Sequence, residues 1–176
     1  MFQKKICMLG SHAVGKTSLI HRYVHTMFSS NYLTTVGVKI DRKKVSLTNQ
    51  EVQLLIWDLH GEDHFQKIRS MFIEGSAGYL LVVDGTRPET LRTALDLQGE
   101  ARSIVGDVPF IVLVNKCDLR EQWRITDQQI QQLKERNWRV HETSAKTGEM
   151  VEETFRLLSQ QLVDFDARIV SAPASL

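Results

Sequence analysis

The sequence predicts an α/β fold, a mostly parallel sheet covered by helices on both faces. Three observations carry this. Short, wholly apolar runs such as Ile6-Cys7-Met8-Leu9, Tyr79-Leu80-Leu81-Val82-Val83 and Phe110-Ile111-Val112-Leu113-Val114 have the pattern of strands buried on both sides. Longer stretches with apolar residues at helical spacing lie between them, so strand and helix alternate along the chain. Finally, Gly10-Ser11-His12-Ala13-Val14-Gly15-Lys16-Thr17 fits G-x-x-x-x-G-K-[ST], a phosphate-wrapping loop that belongs between a strand and a helix.

In chain order, 2–9 reads as the first buried strand and 15–26 as a helix with Leu19, Ile20, Tyr23 and Val24 along one stripe. From 27 to 38 the period breaks, as expected of a long connection with a functional role. Residues 39–47 and 52–58, joined by the turn Thr48-Asn49-Gln50, read as an antiparallel hairpin. Its basic run Arg42-Lys43-Lys44 suits an edge strand guarded against pairing, or a partner-binding face. Residues 59–74 are polar and irregular, with some helical spacing. Strands follow at 77–84, 108–114 and 138–142, and helices at 88–105, 126–136 and 148–165. Pro88 stands near the first turn of one of these helices, and Thr126 opens the next.

A chain of 176 residues is long enough for one well-buried domain. We place that domain at 1–166 and a short flexible tail at 167–176. The net charge of +1 offers no bulk attraction to nucleic acid or an anionic bilayer. Cys7 and Cys117 both sit in or beside apolar runs, which suits buried thiols in a reducing compartment better than a disulfide. The sequence shows neither a leader pattern nor a membrane-length apolar run, and its end has no cysteine to prenylate. A cytoplasmic monomer without a lipid anchor is expected, with any membrane association running through a protein partner or a longer tail.

The chemistry is concentrated at strand ends, where ligands bind in sheets of this class. In the phosphate loop, glycine lets backbone amides approach an anion, and the following helix aims its positive end at the same place. Lys16 adds a charge toward the terminal phosphates, and the Thr17 hydroxyl is a candidate Mg²⁺ ligand. Asp58 closes a buried strand three residues before Gly61, placing a carboxylate where it can act on Mg²⁺ and an amide where it can reach the last phosphate. The alternative is a strand-end aspartate that caps a turn.

Most informative is Asn115-Lys116-Cys117-Asp118, directly after an apolar strand. Guanine presents a ring N–H beside an exocyclic amine, and one carboxylate accepts both. Adenine lacks that pair, so Asp118 would stand unpaired against it, and such mismatches cost on the order of 10⁴ in selectivity or more. Asn115 is placed to tie this loop to the phosphate loop, while the Lys116 stem can cover the base plane. In Glu142-Thr143-Ser144-Ala145-Lys146, the Ala145 amide can reach the guanine carbonyl.

Together, the phosphate loop, Thr35, Trp57-Asp58-x-x-Gly61, Asn115-Lys116-x-Asp118 and Glu142-Thr143-Ser144-Ala145-Lys146 resemble the Ras-like small GTPases, most closely the Rab branch, over about residues 4–165. The resemblance implies the P-loop NTPase fold, with a six-stranded sheet, one antiparallel edge strand and five helices. It implies GTP or GDP as ligand, held by His12, Ala13, Val14, Gly15, Lys16, Thr17, Ser18, Phe28, Thr35, Gly61, Asn115, Lys116, Asp118, Ser144, Ala145 and Lys146. Mg²⁺ would be held by Thr17 and Thr35, with Asp58 acting through a water. Catalysis would rest on Lys16, Gly61 and the residue at 62. Two nucleotide-sensitive loops follow, with exchange factor, activating protein and effectors engaging residues 31–40 and 60–74.

The sequence departs from the family at the attacking water. Where the family has glutamine this chain has Glu62, which adds negative charge beside a triphosphate and cannot donate a hydrogen bond while ionised. Burial and neighbouring anions would raise its pKa, so a protonated, donating form is conceivable. His12 stands where an activating protein would insert an arginine, and His60 falls near the same phosphate or at a solvent-exposed rim. Two functions therefore stay open, a slowly hydrolysing switch and a guanine-nucleotide-binding module that does not hydrolyse. An ATP-using P-loop kinase is disfavoured by Asn115-Lys116-x-Asp118.

Overall fold

The computed structural model describes residues 2–26, 38–59 and 66–171, with only the backbone described at 66–69. In order, the elements are β1 (Phe2–Leu9), α1 (Lys16–His25), β2 (Val38–Ser46), β3 (Glu51–Leu59), α2 (Gln66–Ile73) and β4 (Gly78–Asp84). They continue with α3 (Glu89–Val105), β5 (Phe110–Asn115), α4 (Asp127–Glu135), β6 (Val140–Thr143) and α5 (Val151–Ser171). The strands form one six-stranded sheet in the order β2-β3-β1-β4-β5-β6. Every pairing is parallel except the β2–β3 hairpin, as the sequence indicates.

Strand alternation builds two cores from one sheet. Ile6 and Met8 join α1 and α5 on one face, where Tyr23 and Phe155 stack with ring centroids 3.9 Å apart. Cys7 and Leu9 point to the other face, where α3 and α4 pack Leu91, Ala94, Leu97, Ile130 and Leu133 against the sheet. Burial on both faces explains why β1, β4 and β5 carry apolar residues at odd and even positions alike.

The last helix departs from the sequence reading. That reading ends it near Phe165 and starts a tail at 167, whereas α5 runs to Ser171. The apolar stripe weakens beyond Phe165, but Ala167 and Arg168 are strong helix formers and the next helix breaker is Pro173. Periodicity reports where a helix is buried rather than where it stops.

The order of strands sets the position of the site. The chain leaves β1 toward β2 and β3 on one side and returns to β4 on the other, which opens a crevice beyond the carboxyl end of β1. In register, Met8 lies beside Asp58, Asp84 beside Asn115, and Asn115 beside Thr143. The polar ends of β3, β4, β5 and β6 thus border one rim.

Candidate functional site

The loop between β1 and α1 requires glycine at two positions. Gly10 has φ 151° and Gly15 has φ 105°, both in the left-handed region. A Cβ on Gly10 would lie 2.4 Å from the Val82 carbonyl oxygen, and one on Gly15 would lie 2.3 Å from Asn115 Nδ2. The chain can therefore press against β4 and β5 only without side chains at these points.

Each carbonyl from Gly10 to Val14 accepts a hydrogen bond from a side chain. Lys16 Nζ donates to Gly10 O at 2.8 Å and Ser11 O at 2.9 Å. The Arg87 guanidinium donates to His12 O at 2.8 Å, Lys116 Nζ to Ala13 O at 3.1 Å, and Asn115 Nδ2 to Val14 O at 2.9 Å. In a planar trans peptide the N–H points opposite to the C=O. Turning these carbonyls to side-chain donors therefore presents the amides that follow them to the opposite side. Gly15 caps α1 with no side-chain hydrogen bond, and the first turn has no acidic residue. The result is a concave run of donors at the positive end of a helix, which fits a phosphate chain.

Lys16 is only 7% exposed. Burial lowers its pKa to about 8, with Arg87 adding to the effect and Asp58 opposing it. Such a lysine is held in place by its own loop's carbonyls and gains when an anion arrives.

A second group of residues surrounds the expected base. Asn115 is 1% exposed and accepts from the Ala145 amide at 3.2 Å and from Thr143 Oγ1 at 3.3 Å, while its amide group holds Val14. One side chain thus joins the phosphate loop to both later loops, as the sequence suggests. Ser144 Oγ donates to Asp118 Oδ1 at 2.6 Å and accepts from Thr147 N at 3.0 Å, which orients the carboxylate. The Ala145 amide faces Asn115 here, and Lys146 is exposed. Lys116, at φ 70°, extends from the end of β5 to the phosphate loop.

Thr17 and Asp58 also meet. The Thr17 hydroxyl donates to Asp58 Oδ2 at 2.5 Å, and Asp58 is 1% exposed. Among the described residues no three His, Cys, Asp or Glu side chains cluster as a metal cage. A cation at Thr17 would draw on a hydroxyl, a nearby carboxylate, waters and phosphate oxygens, a donor set that suits Mg²⁺. His12 and Ala13 are exposed at the loop's tip, Val14 is buried beneath it, and Ser18 is half-buried at the start of α1. Phe28, Thr35, His60, Gly61 and Glu62 lie outside the described residues, as do 31–37 of the first expected loop and 60–65 of the second.

The sequence reading missed four residues. Asp84, 1% exposed at the end of β4, accepts from Lys116 Nζ at 2.6 Å, Arg87 Nε at 2.9 Å, and Thr86 N and Oγ1 at 2.9 and 2.7 Å. Burial alone would raise its pKa, but the hydrogen bonds from Lys116, Thr86 and Arg87 bring it below the ordinary value. Its signal was available, since it ends a buried strand just as Asn115 does, and Asp58 stands one residue before the end of another. Arg87 read only as the approach to a helix. Arg22 on α1 donates from Nε to Ala145 O at 2.7 Å and also reaches Lys146 O, bracing the last loop from the first helix. Thr143 lay within a quoted motif without a role. For Arg22 and for the Arg87–His12 contact no local pattern exists, because the acceptors lie far away in sequence.

Comparison with known proteins agrees with this geometry. The Ras family model matches residues 5–164. Ras-related protein Rab-4 of Dictyostelium discoideum is 34% identical over 157 residues, covering 88% of this chain and 77% of its own. Ras-related protein Rab-7b of Bos taurus is 36% identical over 163 residues, covering 89% and 80%. Ras-related protein Rab-3C of Bos taurus is 31% identical over 162 residues, covering 91% and 71%. Among the described residues no helix is long and apolar enough to cross a membrane. The chain belongs to the Ras family, as a guanine-nucleotide-binding small GTPase of the Rab branch.

Proposed function

We propose that this protein is a GTP/GDP switch with slow intrinsic hydrolysis, whose bound nucleotide is selected by Asp118 and held by the phosphate loop. Asn115 carries this reading. By bonding Val14, Thr143 and Ala145 at once, it makes the phosphate cradle and the base loop one rigid unit. A preorganised site of this kind suits phosphoryl transfer, which is catalysed by positioning and by stabilising charge. Lys16 would meet the β- and γ-phosphates, with amides from Ala13 to Ser18 along the chain. The Thr17 hydroxyl and the buried Asp58 carboxylate beside it fit Mg²⁺, which Thr17 and Thr35 would hold with Asp58 acting through a water. Magnesium supplies positive charge to the phosphate oxygens when bound.

Gly61 would donate its amide to the γ-phosphate, Phe28 would pack against the base, and Glu62 would face the attacking water. Thr35 and Gly61 together would hold two loops closed only while the γ-phosphate is present. Exchange factor, activating protein and effectors would then read residues 31–40 and 60–74. Exposed apolar side chains support that surface. Ile40 is 46% exposed and paired in register with Trp57, Met71 is 72% exposed, and the Trp57 and Phe72 rings lie 5.9 Å apart.

Glu62 motivates a second reading, a module whose surface is set by occupancy without hydrolysis. Single-turnover GDP formation with excess protein, GTP and Mg²⁺ separates the two, with Glu62→Gln as the comparison. We expect slow hydrolysis, a changed rate in E62Q and nearly unaltered GDP affinity. No GDP formation in either protein, even with candidate activators, would leave the binding module standing.

A further inference from the structure

Four of the five carbonyl anchors come from three residues with an evident place in the site, Lys16, Asn115 and Lys116. The anchor on His12 does not. It comes from Arg87, three residues beyond the end of β4, whose side chain is 37% exposed and whose sequence position carries no nucleotide motif.

The contacts of Arg87 are those of a strut. Nε rests on Asp84 Oδ2 at 2.9 Å, and a terminal nitrogen of the same guanidinium reaches His12 O at 2.8 Å. Asp84 is itself immobilised, because Lys116 and Thr86 occupy its other acceptor positions. A planar guanidinium can hold both acceptors in fixed geometry, whereas an ammonium acts as a point charge. Ala13 shows what is being held. It has φ 57°, a left-handed conformation that a residue with a Cβ adopts only when its surroundings enforce it. Arg87 fixes the carbonyl before this residue and Lys116 fixes the carbonyl of the residue itself.

We propose that Arg87 is a positioning residue for the phosphate loop, which holds the His12–Ala13 peptide so that the Ala13 amide faces the phosphate chain. The inference rests on the guanine-nucleotide reading above and adds a determinant of residence time to it. Arg87 lies outside the cradle and acts through the backbone. Its loss frees the His12 carbonyl to rotate inward, replacing a donor toward the phosphates with an acceptor that repels them. Arg87 also contributes to the low pKa of Lys16, so its charge is felt at the cradle.

The test is dissociation of a fluorescent GDP in excess Mg²⁺, with equilibrium affinities for GDP and GMP, in wild type, Arg87→Met and Arg87→Lys. Met keeps the apolar stem and removes the fork. We expect R87M to release GDP about tenfold faster or more, the scale of a lost hydrogen bond to a charged group. R87K should fall between it and wild type. The GDP-over-GMP preference should drop in R87M, because the loop amides act along the phosphates that GMP lacks. A merely structural role would weaken both nucleotides alike, and that result overturns the proposal. A GDP release rate in R87M within twofold of wild type also overturns it. Should R87M fail to fold, R87K is read against the same twofold limit. If wild type itself binds no guanine nucleotide, the parent reading falls first.

Discussion

Asp118 offers a sharp test of base choice, because a carboxylate and an amide share a shape and differ in hydrogen bonding. Asn at this position turns one acceptor into a donor and should favour xanthine, which carries a carbonyl where guanine has its amine. The Ser144 hydroxyl that orients Asp118 can donate to the new amide carbonyl, so the loop should keep its form. In a competition assay, Asp118→Asn should shift preference from guanine toward xanthine nucleotides, and unchanged selectivity would contradict the site. Lys16 predicts a pH effect of definite sign. Its pKa of about 8 in the protein, against an ordinary 10.5, means that it is partly neutral just above pH 8. A phosphate chain favours the charged form, so binding should take up a proton there, and affinity should be flat below about pH 8 and decline above it. Calorimetry at pH 8.5 in two buffers of different ionisation heat should give different apparent enthalpies, converging near pH 6.5. Equal values at pH 8.5 would show that Lys16 is fully charged before binding. The same shift makes stability of the nucleotide-free chain rise between pH 8 and 10.5, where the unfolded state still holds the proton.

At the scale of elements, α1 links the site to the rest of the molecule. Its first turn begins at the phosphate loop, Arg22 braces the last loop, and Tyr23 stacks on Phe155 of α5. Phe155 is fully buried, so Phe155→Ala should cost about 3–5 kcal/mol through lost burial and the cavity it leaves. Urea unfolding of the GDP-saturated protein measures this, and a loss below about 1 kcal/mol would show that the core refills the space. Local signals predicted several boundaries well. Thr126 opens α4 with a reciprocal capping box to Gln129, using the threonine that marks the start in the sequence. β2 and β3 pair from Val38 with Leu59 to Ser46 with Glu51, as the turn between them implies. The end of α5 was not legible, since its final residues are helical by propensity while Ile169 and Val170 are exposed.

For the whole molecule, strand order converts scattered motifs into a site. Phosphate loop, Asp58, Asn115 to Asp118 and Thr143 to Lys146 are separated by tens of residues and become neighbours because β1 lies between β3 and β4, with β5 and β6 beyond. Apolar runs, helical stripes and glycine placement foretold the α/β architecture, since each is a local consequence of backbone period and steric limits. Motif spacing also named the phosphate-loop pattern and Asp118 as the candidate base-selecting carboxylate, because such roles depend on residue type at short range. What only the tertiary structure decided is how the loop is held. Arg87, Asp84 and Arg22 act on residues 75, 32 and 123 positions from their own, through contacts with no sequence period. A hydrogen bond depends on where two atoms meet in space, and only the packed sheet brings those atoms together.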